Sequence, residues 1–340
     1  MKILTYNTAL VHSLIESKSL PEKFLNDNWE DIYANSKKNN FSSNYFMYDR
    51  TGAIPHFLNI DETYSKIPTG FTDKSFREIC EDRAKELIAL DKPINISWSG
   101  GIDSTFVLFC LYNFAKDKDQ IKVYGTYNSV IESGYIFDRY IKDKIQYKIM
   151  VNPLHKSKYN VGELYVTGQP SNLLFQPSLP YKSARDTILN IPNSEFIIKH
   201  ALSPIEDIID DNILNFLEPS ITKIGRPIKT LQDLRWFINF NFCWYSNTAH
   251  HSIGSNSSTI IPFFDTDEFQ RWSIYNKDTP TKIGDYSDER WQIRELIAEY
   301  TGDKLYAKNK RKNVSVLSPV DTKWLFLLNN YSNVYLEDLQ

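Results

Sequence analysis

Ile94-Asn95-Ile96-Ser97-Trp98-Ser99-Gly100-Gly101-Ile102-Asp103-Ser104-Thr105 decides how this chain folds. Ile94 to Trp98 alternates in character and is rich in β-branched and aromatic side chains, which predicts a short strand. The strand runs directly into a glycine pair. Thr105 to Phe114 is strongly apolar and predicts a helix packed on a sheet. Glycine tolerates positive φ and lets backbone N–H groups approach a ligand. The helix start adds unpaired N–H groups and a positive dipole end. Together these make an anion cradle suited to a pyrophosphate. Ser97, Ser99, Gly100, Gly101, Asp103, Ser104 and Thr105 are the candidate nucleotide-binding residues of this segment, with Ser99 and Ser104 able to offer hydroxyls to phosphate oxygens. Asp103 would repel phosphate unless a cation bridged them, so it is a candidate Mg²⁺ ligand. The blander alternative is a Gly-Gly turn with an ordinary helix cap; the full string in strand–loop–helix context argues against it. The loop has no GxxxxGK[ST] pattern and no Lys, so it is not a Walker A loop.

The elements on either side extend the pattern. Ser75-Phe76-Arg77-Glu78 reads as a capping box. Phe76, Ile79, Cys80, Ala84, Leu87 and Ile88 follow at helical spacing, and Asp91-Lys92-Pro93 ends that helix. Ile121 to Tyr127 predicts a second strand, Ser133 to Lys144 a second helix and Tyr147 to Val151 a third strand. Val161 to Thr167 predicts one more strand before a Gly-Gln-Pro turn. This alternation implies an α/β fold, a doubly wound parallel sheet with helices on both faces. From Ile205 onward the chain reads as a helical C-terminal part, with helices over 205–217, 230–246, 266–274 and 288–300. Residues 1–70 lack sustained periodicity and form a separate region of open role; 71–340 reads as the main domain.

Composition excludes several classes. Hydrophobic residues at 41% and charged residues at 24% describe a soluble globular chain. A net charge of −3 with scattered basic residues gives no electrostatic case for sequence-independent nucleic-acid binding. Cys80, Cys110 and Cys243 are far apart without CxxC pairing, so neither a disulfide framework nor a zinc site is suggested. The adjacent His250 and His251 point in different directions on a helix or strand and do not make a metal pair. Met1 to Tyr6 lacks signal-peptide features and no stretch reaches membrane-span length. The expectation is a cytoplasmic protein without a membrane partner.

Ser99-Gly100-Gly101-Ile102-Asp103-Ser104-Thr105 resembles the pyrophosphate loop of the N-type ATP pyrophosphatases, the PP-loop superfamily. These enzymes cleave ATP between the α- and β-phosphates and transfer AMP to a substrate oxygen. Ile260-Ile261-Pro262-Phe263-Phe264-Asp265 looks like the PF-L-D segment of asparagine synthetases. Arg290 to Leu296 followed by Lys308-Asn309-Lys310 is similar to the K-x-x-L-R helix and R-x-K of the same branch. Val166 to Phe175 sits where those enzymes carry S-G-x-G-x-D-E-x-F. The resemblance covers residues 75–315, and the first motif is the specific one.

What the resemblance implies is an adenine nucleotide alpha hydrolase-like fold, ATP and Mg²⁺, and an AMP-forming ligase that adenylates a carboxylate and forms an amide bond. The partners implied are a small carboxylate and an amine or ammonia, with a separate amine-donor protein as a further source. Gly168 joins the nucleotide-binding residues, and Asp103 and Asn172 become the metal contacts. Lys310, with Lys308 as the alternative, stabilises later transition states. Glu132 either orients the attacking amine or contacts the nucleotide, or is simply an acid on a helix N-terminus.

The chain also departs from that branch. Position 2 is Lys and the earliest cysteine is Cys80, so glutaminase activity is not expected. Gln169 and Asn172 stand where Asp and Glu occur, and a neutral amide is a weaker Mg²⁺ ligand than a carboxylate. Ser255 to Thr259 replace an Asp-Arg pair and a Glu, so the acceptor acid is not read as aspartate. Two other readings stay open: a nucleobase- or nucleic-acid-modifying PP-loop enzyme, and a nucleotide-binding protein with degenerate catalysis.

Overall fold

The structure, a computed structural model, describes residues 2–5, 48–54, 66–149, 162–175, 202–209, 211–245, 248, 260–275, 290–305, 326–329 and 332–335. In chain order the elements begin with β1 (Lys2–Thr5), α1 (Phe76–Ala89), β2 (Ile94–Trp98), α2 (Ile102–Phe114), β3 (Ile121–Gly125), α3 (Tyr127–Glu132) and α4 (Gly134–Ile136). Next are β4 (Gln146–Ile149), β5 (Leu164–Thr167), α5 (Ser171–Leu174), α6 (Asp211–Ile224) and α7 (Leu231–Phe237). The last are β6 (Ile260–Pro262), α8 (Asp267–Tyr275), α9 (Trp291–Thr301), β7 (Phe326–Asn329) and β8 (Ser332–Tyr335). The chain divides into two compact units: Met1–Ile67 with Gln176–Ser246 and Val314–Gln340, and Pro68–Phe175 with Asn247–Asn313.

The second unit is α/β. Its five strands are all parallel and lie in the order β4-β3-β2-β5-β6. From the central β2 the chain builds outward through β3 to β4, then crosses to the other side of β2 for β5 and β6. The strand order therefore reverses between β2 and β5, and in open parallel sheets ligands bind beyond the carboxyl ends of the strands at such a point.

Local chemistry explains these elements. α1 starts at the expected capping box: the Ser75 hydroxyl accepts from the Glu78 N–H at 3.3 Å, and the Glu78 carboxylate accepts from the Ser75 N–H at 2.8 Å. α2 starts at Ile102, ahead of the apolar run, because extended Gly101 serves as its N-cap. Phe106 to Leu111 are all buried, since α2 packs against α1, α9 and strands β2 and β3. The helix expected from Ser133 instead begins at Tyr127. Thr126 and Ser129 form a reciprocal cap there, and the backbone breaks at Ser133 with φ −146°. A wide π-type turn over Phe137–Ile141 continues it.

The C-terminal expectations change in detail. The helix expected over 205–217 is a 3-10 turn (Ile205–Asp207) followed by α6, and that over 230–246 is α7 with a π-type turn over Ile238–Phe242. Ile260–Pro262 is the fifth parallel strand, too short to announce itself by periodicity. Phe263 and Phe264, just beyond it, are fully buried, in a cluster with the buried rings of Phe76, Phe106, Phe269 and Trp272. Their ring centroids are separated by 4.9 Å (Phe76–Trp272), 5.9 Å (Phe106–Phe264) and 5.2 Å (Phe264–Phe269).

The first unit holds an antiparallel sheet in which β1 pairs with β7 and β7 with β8. A buried carboxylate organises its described helical part. Asp49 accepts from the Thr51 N–H at 3.0 Å, the Thr51 hydroxyl at 2.7 Å, the Ile54 N–H at 2.6 Å, the Ser220 hydroxyl at 2.7 Å and the Asn241 amide at 2.8 Å. Beside it the buried Arg50 guanidinium lies 4.9 Å from the Phe240 ring centre and 4.5 Å from that of Trp244. Among the described residues no helix is long and apolar enough to cross a membrane.

Candidate nucleotide site

The site is built at the point of strand reversal. Trp98 ends β2 and is fully buried; its indole N–H donates to the Thr105 hydroxyl at 3.1 Å, tying the strand end to the first turn of α2. Between them the loop closes on itself. Ser104 donates its hydroxyl proton to the Gly101 carbonyl at 3.2 Å, so its oxygen accepts from the Ser99 N–H at 3.1 Å and from the Ser99 hydroxyl at 3.0 Å. The Ser99 oxygen in turn accepts from the Gly101 N–H at 3.3 Å. The hydroxyls of Ser99 and Ser104, read from sequence as able to reach phosphate oxygens, hydrogen-bond within the loop, and that of Thr105 holds Trp98. No side chain caps the first turn of α2, so its backbone N–H groups are the loop's uncapped donors.

Three glycines allow this geometry. Gly100 has φ +78°, and a Cβ there would stand 2.4 Å from the Ser129 carbonyl oxygen and 2.9 Å from the Glu132 Cβ. Gly101 caps α2. Gly168, directly after β5, lies against that same first turn: a Cβ on it would stand 2.8 Å from the Ser104 amide nitrogen and 2.9 Å from the Asp103 carbonyl carbon. The 167–169 segment is held there by the aromatic core, through Phe263 N–H to Thr167 C=O at 2.9 Å and Phe264 N–H to Gln169 C=O at 3.4 Å. Core packing of the Phe263-Phe264 pair therefore positions the second loop of the site.

Asp103 lies in the first turn of α2, where a carboxylate is stabilised by the dipole. Its Oδ2 accepts from Arg290 Nη1 across 187 residues of sequence, and both side chains are largely shielded. Its Oδ1 is buried without a hydrogen-bond partner. That orphaned oxygen fits a hard cation such as Mg²⁺, which takes one or two carboxylates and completes its shell with substrate phosphates. Arg290 has φ +56°, a left-handed conformation that costs about 1–2 kcal/mol for a residue with a Cβ. Two further buried hydroxyls, Thr167 Oγ1 and Ser171 Oγ, lack hydrogen-bond partners at the start of the second loop.

The remaining sequence candidates fall as follows. Ser97 is half-buried on β2, and Asn172 and Gln169 are half-buried in the 168–174 stretch. Glu132 is the last residue of α3, beside Gly100, and is not an acid at the N-terminus of that helix. Lys308 and Lys310 lie outside the described residues, as do His250, His251 and Ser255 to Thr259. Burial pushes the Cys80 and Cys110 thiols above their ordinary range, which disfavours their thiolate forms. Arg290, Thr167 and Ser171 fall within the stretches 290–296 and 166–175 that carry the resemblance, but nothing in local sequence gives any of them a role beside the glycine loop. In comparisons with known proteins, no family model and no curated protein matches the chain.

Proposed function

We propose that the second unit binds ATP with Mg²⁺ and that the chain is an AMP-forming C–N ligase of the PP-loop type, akin to the synthetase half of asparagine synthetases. One observation carries the reading: the loops after β2 and β5 meet where the strand order reverses, with Gly168 against the uncapped start of α2. This is the arrangement an adenine nucleotide alpha hydrolase-like, doubly wound sheet needs to hold a pyrophosphate. The first-turn amides of α2 would take the β- and γ-phosphate oxygens, and Asp103 would hold the metal through Oδ1. Bound there, Mg²⁺ supplies neutralisation of the phosphate charge. A carboxylate oxygen of the acceptor attacks the α-phosphorus and pyrophosphate leaves; an amine then attacks the acyl carbon and AMP leaves. The protein's part is positioning and charge stabilisation, with Glu132, Lys310 and Lys308 as candidates around the reacting atoms. The substrates are small cytoplasmic acids and amines in this reading.

The test is pyrophosphate and AMP release from ATP and Mg²⁺ in the presence of candidate acids. If neither product forms with any acid or amine, and Asp103→Ala binds ATP as the wild type does, the proposal fails. Gln169 and Asn172 favour a second reading, nucleotide binding without turnover, which calorimetry would reveal as ATP binding in a protein that never yields AMP.

A further inference from the structure

We infer that Arg290 makes divalent-cation binding at Asp103 conditional on the nucleotide, so that the metal enters with the phosphate chain and not before it. The inference rests on the nucleotide reading above and deepens it. Three sources of positive potential surround one carboxylate. Arg290 donates to Asp103 Oδ2; Asp103 itself lies in the first turn of the 13-residue α2; and Arg290 is the N-cap of the 11-residue α9. The carboxylate thus serves as the internal counter-anion of a cationic corner. Its second oxygen is turned into a buried position with no donor. A buried unpartnered carboxylate oxygen is costly, and a cation would satisfy it. Yet a free divalent ion approaching Oδ1 meets a guanidinium on the other oxygen of the same group, and like charges that close repel strongly at low dielectric. A nucleotide changes the balance: its phosphates neutralise Arg290 and the helix ends and bring their own oxygens to the ion.

The backbone supports a dedicated role for this residue. Among the described residues Arg290 and Asp91 are the two non-glycine residues at positive φ. Such a conformation persists where surrounding contacts support it, and the side chain of Arg290 is engaged by Asp103. Arg290 is therefore a positioning residue: it fixes the Asp103 rotamer, presents Oδ1 and sets the order of binding.

The test reads metal binding directly, by Mn²⁺ paramagnetic titration of the full chain. Titrations are run with and without an ATP analogue bearing a methylene bridge between the α- and β-phosphorus. The wild type should bind Mn²⁺ weakly alone and tightly with the analogue. Arg290→Gly removes the charge and suits the left-handed backbone, so it should fold; nucleotide-free Mn²⁺ affinity should rise about tenfold or more. Arg290→Lys should keep the low nucleotide-free affinity, because it keeps the charge. Asp103→Asn added to Arg290→Gly should abolish the gain. If the wild type binds the analogue but Arg290→Gly leaves nucleotide-free Mn²⁺ affinity unchanged, this inference is overturned alone. If the wild type binds no analogue with any divalent ion, the nucleotide reading falls and takes this inference with it.

Discussion

Replacing Gly100 by alanine tests the site's architecture most directly. Two separate costs arise. The residue sits at φ +78°, and a left-handed backbone costs an L-residue with a Cβ about 1–2 kcal/mol. The new Cβ would also stand 2.4 Å from the Ser129 carbonyl oxygen, whereas ordinary contact begins at 3.4 Å. The difference, 3.4 − 2.4 = 1.0 Å, must come from backbone on both sides, because the obstacle is a carbonyl and not the end of a flexible side chain. Overpacking of that kind costs about 1–3 kcal/mol. The sum is about 2–5 kcal/mol. Gly302→Ala is the control: φ is +70° and nothing lies within 4 Å, so only the backbone cost of about 1–2 kcal/mol remains. Gly101→Ala is a second control, with φ −72° and its nearest clash the Ser99 hydroxyl at 3.2 Å. Urea unfolding followed by tryptophan fluorescence reads all three, since Trp98 is buried beneath the loop. The expected order of destabilisation is Gly100→Ala, then Gly302→Ala, then Gly101→Ala. If Gly100→Ala is no more destabilising than Gly302→Ala, the loop does not pack against α3 as described and the reasoning is refuted.

Other perturbations separate the site from its scaffold. If the proposed ATP site is right, Gly168→Ala should lower ATP affinity about tenfold or more in calorimetry, since its Cβ would displace the first turn of α2, and an unchanged affinity would count against the site. Trp98→Phe removes the donor to Thr105 and leaves a cavity at a fully buried position, so it should destabilise by about 2–3 kcal/mol, and Thr105→Val should cost less in that background than in the wild type; an additive double mutant would refute the pairing. Asp49→Ala strips five donors of their acceptor in the first unit and should cost about 3–5 kcal/mol by chemical denaturation; a loss below about 1 kcal/mol would count against that network. Glu268 is held below its ordinary pKa of 4.5 by hydrogen bonds from Thr72 and Arg271, so its contribution is present above pH 4.5 and lost as pH falls through the lowered value. Glu268→Gln should therefore flatten the acid limb of the stability–pH profile below pH 4.5, and an unchanged limb would count against that contact.

Much of the α/β core was legible because its signals are local. The capping box at Ser75 depends on residues three apart, and the structure places α1 where it points. The strand–glycine–helix order at 94–114 needs only chain neighbours, and it located β2, the loop and α2 within a few residues. Periodicity failed where the element is short. β6 has three residues, and α3 is fixed by the reciprocal cap of Thr126 and Ser129, not by an apolar stripe.

Sequence alone determined that a glycine pair would sit between a strand and a helix and leave a helix start open to an anion, because glycine backbone freedom and helix termini are properties of contiguous residues. Tertiary structure decided everything that depends on distance along the chain. It set the strand order that puts β5 beside β2, and so brought Gly168 onto α2. It engaged the hydroxyls of Ser99, Ser104 and Thr105 in hydrogen bonds within the loop and to Trp98. It paired Asp103 with Arg290, 187 residues away, and left one oxygen of that carboxylate buried and unpartnered. A parallel sheet is closed by crossovers whose register no local pattern encodes, and the site lies where two of its loops meet.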